Sequence, residues 1–202
     1  DTKSQGISRS KFVKLVHADM LLVECLDDTS EQKTEGGIIL PGSMDDVISD
    51  RTLPPKQAIV KQVGKGVTQV QVGDIVIFDQ QEGEEAGENL RILEEKKLYA
   101  KLKPGVESKE GKRVILNKDI VIPLNSMVLA ERQPRSMKTG IIHRTDDKIY
   151  NKVCQVVAIG RGKKTDKGTI PAEVKPNDRA IVLQYDGVKL EPLLFPMLIV
   201  LE

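Results

Sequence analysis

The chain has 202 residues, 39% of them hydrophobic, enough to bury one large core or two modest ones. Its 31 basic and 30 acidic residues nearly cancel to a net charge of +1, and aromatic residues make up only 3%, so neither a basic face nor stacking platforms for nucleic acid are expected. No run approaches the roughly 18 consecutive apolar residues of a membrane span, no apolar signal core is read in residues 1–12, and two lone cysteines, Cys25 and Cys154, suit a reducing compartment.

Taken in chain order, the signal is almost entirely β. "MLLVECL" (20–26) reads as a strand and is followed by a polar excursion from Asp27 to Lys56. Within it "GGIIL" sets the aliphatics Ile38, Ile39 and Leu40 behind the permissive pair Gly36 and Gly37. Pro41-Gly42 and Pro54-Pro55 prevent a continuous ladder through this segment, and connections this long are usually functional or disordered. On residues alone the triplet is either a short buried strand or bait kept outside for a partner.

Strands are next predicted at "QAIVKQV" (57–63) and "GDIVIFD" (73–79), then an acidic hairpin tip, "DQQEGEEAGEN" (79–89). That tip carries Asp79, Glu82, Glu84, Glu85 and Glu88 and no base. The best helix candidate, around Glu94 to Ala100, is short and weak, and a polar segment with Pro and Gly follows at 102–112. Further strands are predicted at "KRVILN" (112–117), "MVLAE" (127–131), "CQVVAIG" (154–160), "RAIVLQY" (179–185) and "MLIVLE" (197–202).

The chain repeats itself. "MLLVE" (20–24) answers to "MVLAE" (127–131), "EGGII" (35–39) to "KTGII" (138–142), "AIVKQVGKG" (58–66) to "CQVVAIGRG" (154–162), and "VGDIVIF" (72–78) to "PNDRAIVL" (176–183). Constant order with offsets of 107, 103, 96 and 104 means two copies of one unit whose loops have changed length. The expected division is 1–107 and 108–202, each part the size of a small domain.

Candidate chemistry is sparse. "GRGKKTDKGT" (160–169) carries Arg161, Lys163, Lys164 and Lys167 but lacks phosphate-loop spacing, so a solvated hairpin loop is expected. His17 with Cys25 and His143 with Cys154 fit no zinc signature, and no Ser/His/Asp set falls on comparable positions in the two copies. Neither a metal site nor an enzyme is expected.

Four motifs, in the same order twice, resemble a GroES-type co-chaperonin subunit. An opening strand is similar to "KLVHADMLLVE" and "VIPLNSMVLAE", and a loop ending in Gly-Gly-Ile-Ile-Leu is similar to "KTEGGIIL" and, in part, "MKTGIIH". A Gly-x-Gly turn follows as "AIVKQVGKG" and "CQVVAIGRG", then "VQVGDIVIF" and "VKPNDRAIVL". The first strand lacks the family's Asp-Arg, and the second copy loses one loop glycine. The resemblance implies two GroES-like, irregular small β-barrels in tandem, all-β. It implies a homo-oligomeric ring that caps a GroEL-type ATP-driven chaperonin and assists unfolded client proteins. Contact would run through Gly36, Gly37, Ile38, Ile39 and Leu40 and through Gly140, Ile141, Ile142 and His143, with Glu82, Glu84, Glu85 and Glu88 on a roof hairpin. Nucleotide would be bound by the partner, so no cofactor is implied, and the setting would be the cytoplasm of a bacterial or virus-infected cell, or an organelle's stroma or matrix. The competing readings are a structural or assembly protein, possibly viral, that kept the fold, and a small β-barrel binding peptide or nucleic acid.

Overall fold

The computed structural model describes residues 17–26, 55–134, 150–165, 167–182, 187–190 and 197–201. The first copy contributes β1 (Met20–Cys25), β2 (Lys56–Val63), β3 (Ile75–Phe78), β4 (Glu84–Gly87), β5 (Leu90–Glu94) and β6 (Leu98–Leu102). The second contributes β7 (Val121–Pro123), β8 (Val128–Pro134), β9 (Tyr150–Ile159), β10 (Lys163–Thr165), β11 (Gly168–Ile170), β12 (Arg179–Ile181), β13 (Val188–Lys189) and β14 (Met197–Leu201). Three antiparallel sheets result, ordered β4-β5-β1-β2-β3-β6-β7, β12-β9-β8-β14-β13, and β10-β11. The all-β tandem is as predicted.

Period-two alternation decides which side chains are inside. Leu21 and Val23 of β1 point inward, with Ala58 and Val60 of β2, Val76 and Phe78 of β3, and Val70, Leu93, Leu98 and Leu124 completing the cluster. With one aromatic, Phe78, the core is built from branched aliphatics, which pack well on pleated strands.

The repeat holds at the level of single hydrogen bonds. Val60 N donates to Asp74 O at 2.9 Å and Gly73 N to Val60 O at 2.8 Å; in the second copy Val156 N donates to Asp178 O at 2.9 Å and Asn177 N to Val156 O at 2.8 Å. Asn177 takes the left-handed φ of +74° where the first copy uses Gly73 at +94°, a substitution asparagine tolerates. Both first strand pairs carry a register shift, between Leu22 and Val23 and between Leu129 and Ala130. Gly64 and Gly160 are required sterically, since a Cβ at either would overlap the carbonyl of Ala18 or Asn125.

Two predicted elements differ. "KRVILN" forms no strand, because its backbone is claimed elsewhere: the Gln57 side chain, fully buried on β2, pairs with Val114 by accepting from its N at 2.9 Å and donating to its O at 2.8 Å. The segment expected to be a weak helix is one 3-10 turn, Glu95–Lys97, leading into β6. Leu98, Ala100 and Leu102 are buried at alternate positions, so the apolar period is two. Strands β4, β5 and β7 are short and were not signalled by composition.

The strand pairing does not stop at residue 107. β7 pairs with β6, Ala100 opposite Pro123 and Leu102 opposite Val121. One apolar cluster joins Ile75, Ile77, Ala100 and Leu102 of the first copy to Leu116, Val121, Leu129 and Leu190 of the second. Arg113 donates to Pro55 O at 3.2 Å and to Leu190 O at 3.0 Å. Gln69 and Asn125 pair through their side chains at 2.8 Å, and Asn125 Nδ2 also donates to Glu95 O and Leu98 O.

A smaller cluster in the second copy holds Ala130, Cys154 and Val182. Burial pushes the Cys154 thiol up, and Arg132 opposite it on β8 acts in the other direction. A thiol held neutral in the fold but able to ionise near pH 9.0 when unfolded makes the native state lose stability as pH rises above that value.

Two outcomes follow from these contacts. Gln57→Leu strands the Val114 donor and acceptor together and is expected to cost about 2–4 kcal/mol in urea unfolding; a cost under about 1 kcal/mol would mean the clamp does not hold the junction. Cys154→Ala, the residue standing at the equivalent position 58, removes an alkaline slope of at most about 1.4 kcal/mol per pH unit. Identical pH profiles for parent and variant between pH 7 and 10 would contradict this.

Candidate functional site

The candidate site is built at the corner where the first two strands of each copy part. Cys25 pairs with Ala58 across β1 and β2, and Leu26 N donates to Gln57 O at 2.9 Å, so residues 26 and 57 close the ladder before the excursion 27–54. In the second copy Pro134 pairs with Tyr150 across β8 and β9, closing the ladder before residues 135–149. Both excursions therefore connect adjacent antiparallel strands at equivalent corners. The sequence-predicted contact residues Gly36, Gly37, Ile38, Ile39 and Leu40, and Gly140, Ile141, Ile142 and His143, lie outside the described residues, and the corners are the geometry the structure supplies for them.

The acidic hairpin is formed by β4 and β5. Its turn uses left-handed backbone at Asn89, φ +59°. The sequence count of acids without a base omits neighbours that the fold brings in. Arg91 on β5 donates to Gln80 O at 2.6 Å and Glu82 O at 3.0 Å and lies 3.9 Å from Glu85. Lys97 binds Glu82 at 2.7 Å, and this hydrogen bond and charge raise the lysine above its ordinary range. Glu84, Glu85 and Glu88 are exposed at the tip. Arg91 stands only three residues after Glu88 but just beyond the stretch 79–89 read as the tip; the β4–β5 register, Glu85 opposite Arg91, turns it back onto the acids.

The basic stretch of the second copy is a two-stranded hairpin, β10–β11, with Arg161, Lys163, Lys164 and Lys167 all exposed, which matches the solvated hairpin loop expected. Its entry turn has Gly162 at φ +102°, close against the Ile170 carbonyl, where no side chain fits. The first copy has no hairpin between its corresponding Gly64-Gly66 turn and β3.

His17 is exposed, Cys25 half-buried, Cys154 buried, and His143 outside the described residues. Among the described residues no three His, Cys, Asp or Glu side chains converge as metal ligands, and no helix is long and apolar enough to cross a membrane. The described arrangement offers two exposed hairpins and two corners from which the excursions leave.

Comparison with known proteins gives one finding. No curated protein sequence matches the chain. The profile of the chaperonin 10 Kd subunit family matches it twice, over residues 15–102 and 120–192, leaving only the termini and the junction segment unmatched. The match falls on both copies and on the strand pairs whose hydrogen bonds repeat, so the chain belongs to the chaperonin 10 Kd subunit family, the co-chaperonins, as a two-part tandem member.

Proposed function

We propose that the chain forms a ring that caps a GroEL-type, ATP-driven chaperonin, with residues 36–40 and 140–143 as the contact segments. The observation that supports this best is the equivalent corner at which both excursions leave their strand pairs, in a chain of the co-chaperonin family. Apolar triplets flanked by polar chain suit docking into grooves between chaperonin helices, with the ordering entropy met at binding. The chaperonin supplies nucleotide and conformational work, and the chain itself catalyses nothing. The β4–β5 tip is the proposed lining of the ring's axial opening. Arg91 and Lys97 reduce its charge, and what remains on Glu84, Glu85 and Glu88 keeps neighbouring tips apart at low salt.

The two contact segments are unequal. Ile38-Ile39-Leu40 presents three aliphatics, each worth roughly 1.5–3 kcal/mol when buried, whereas Ile141-Ile142-His143 must desolvate an imidazole in the third position. Arg135, Lys138 and Arg144 around the second triplet add steering that weakens with salt. Two double variants test this: Ile38→Ser with Ile39→Ser, and Ile141→Ser with Ile142→Ser, each first shown to keep the parent oligomer. Chaperonin affinity measured with nucleotide should fall in both, and by about tenfold more per site in the first. Equal losses, or a larger loss from the second pair, overturn the asymmetry; no loss from either overturns the capping reading and favours an assembly protein that kept the fold.

A further inference from the structure

The β10–β11 hairpin breaks the repeat: seven residues separate Gly66 from Asp74 in the first copy, and fifteen separate Gly162 from Asp178 in the second. It adds nothing to the apolar clusters, since Lys163, Lys164, Lys167, Gly168, Thr169 and Ile170 are all exposed, Ile170 at 59%. Yet it is firmly built. At its base Gly162 N donates to Asn125 O at 2.8 Å. Lys163 then faces Ile170 and Lys164 faces Thr169, and the Thr165 hydroxyl donates to Gly168 O at 2.7 Å. Its charges are unmet: Arg161, Lys163, Lys164 and Lys167 make no ion pair among the described residues, whereas Lys61, Lys97, Lys101 and Lys118 each meet an acid. The carboxylate of Asp178, further along, is taken by the main-chain N–H of Lys175 at 2.8 Å. Both edges of the hairpin are also bare, because among the described residues β10 and β11 pair only with each other.

We propose that the outer edge of β10 binds an extended, carboxylate-rich segment of an unfolded polypeptide, which adds to the hairpin as a third strand. Lysines on a bare edge keep neutral apolar strands from pairing with it. The same charges favour a strand that is itself acidic, because opposite charges across a strand pair attract. Successive side chains of an added strand point to opposite faces, so acids at neighbouring positions meet Lys163 on one face and Lys164 on the other. Arg161 before the strand and Lys167 after it extend the basic track. Ile170, across from Lys163, gives one face an apolar contact for a side chain of the segment. A polypeptide is the occupant because it alone among polyanions carries the backbone donors and acceptors that an open edge pairs with. No aromatic residue stands between Gly160 and Leu183, so nucleic acid finds no stacking platform there.

The test uses the full chain without chaperonin and a short labelled peptide of Glu, Val and Thr, with binding read by fluorescence anisotropy at low salt. The chain should bind this peptide about tenfold more tightly than its counterpart with Gln for Glu, and affinity should fall as salt is raised. Methylating alternate backbone nitrogens of the peptide removes its strand donors and keeps its charge, and should weaken binding about tenfold. The double variant Lys163→Gln with Lys164→Gln changes two exposed side chains and should lose about as much; the methylated peptide tests the parent chain, so that arm does not depend on the variant's stability. No binding, unchanged affinity in the lysine variant, or equal binding of the methylated peptide overturns the proposal. Single-stranded DNA or phosphatidylglycerol vesicles bound as tightly as the peptide would assign the hairpin to polyanions or membranes and overturn it as well. Binding that appears only after Glu84→Gln, Glu85→Gln and Glu88→Gln would mean that the chain's own acidic tip fills the edge, which also overturns it. None of these readouts involves the excursions 27–54 and 135–149, so this inference and the capping reading can fail separately.

Discussion

The buried amide of Gln57 sets the geometry on which the rest depends. It sits at the second position of β2, fully removed from water, and satisfies both of its polar ends on the backbone of Val114. A buried primary amide without partners costs several kcal/mol, so the residue belongs there only because the junction segment comes back to it. That return positions Arg113 to reach both Pro55 and Leu190, and lets β7 add to β6 above a shared apolar cluster. The tandem is therefore a pair of copies with a common core across their boundary. The two excursion corners, one on each copy, are carried on one platform.

Much of this was legible in the residues. The repeat offsets of 107, 96 and 104 anticipate which hydrogen bonds recur, from Gly64 and Gly160 on their neighbouring carbonyls to Asp74 and Asp178 in their turns. Strongly β-branched runs such as 57–63 and 154–160 were found because period two and composition agree there. What escaped has physical reasons. β4 is Glu-Glu-Ala-Gly, wholly exposed, so no burial pattern marks it. β6 follows a Lys-Lys pair that suggests helix, while its fate is set by pairing with β3 and β7. "KRVILN" has strand composition, but a side chain 57 residues away takes its hydrogen bonds. Arg91's role at the acidic tip depends on register alone, and register is a tertiary property. The contact triplets themselves were legible only as sequence, and they fall outside the described residues.

A co-chaperonin of this kind divides labour between parts with opposite requirements. The strand pairs must be stiff, and the shared core with its amide clamp makes them so. On the capping reading proposed above, the contact segments give up freedom on binding, which would make each site weak and a ring of linked sites strong. On the same reading, the asymmetric pair of triplets would spread that affinity unevenly. Hydrogen exchange of the full chain, alone and with a chaperonin and nucleotide, tests this most directly. The account predicts slowed exchange within 27–54 and 135–149 on complex formation, with the amides of Val114 and β7 equally protected in both states. Unchanged exchange in both excursions, or loss of protection at Val114 on binding, would contradict it.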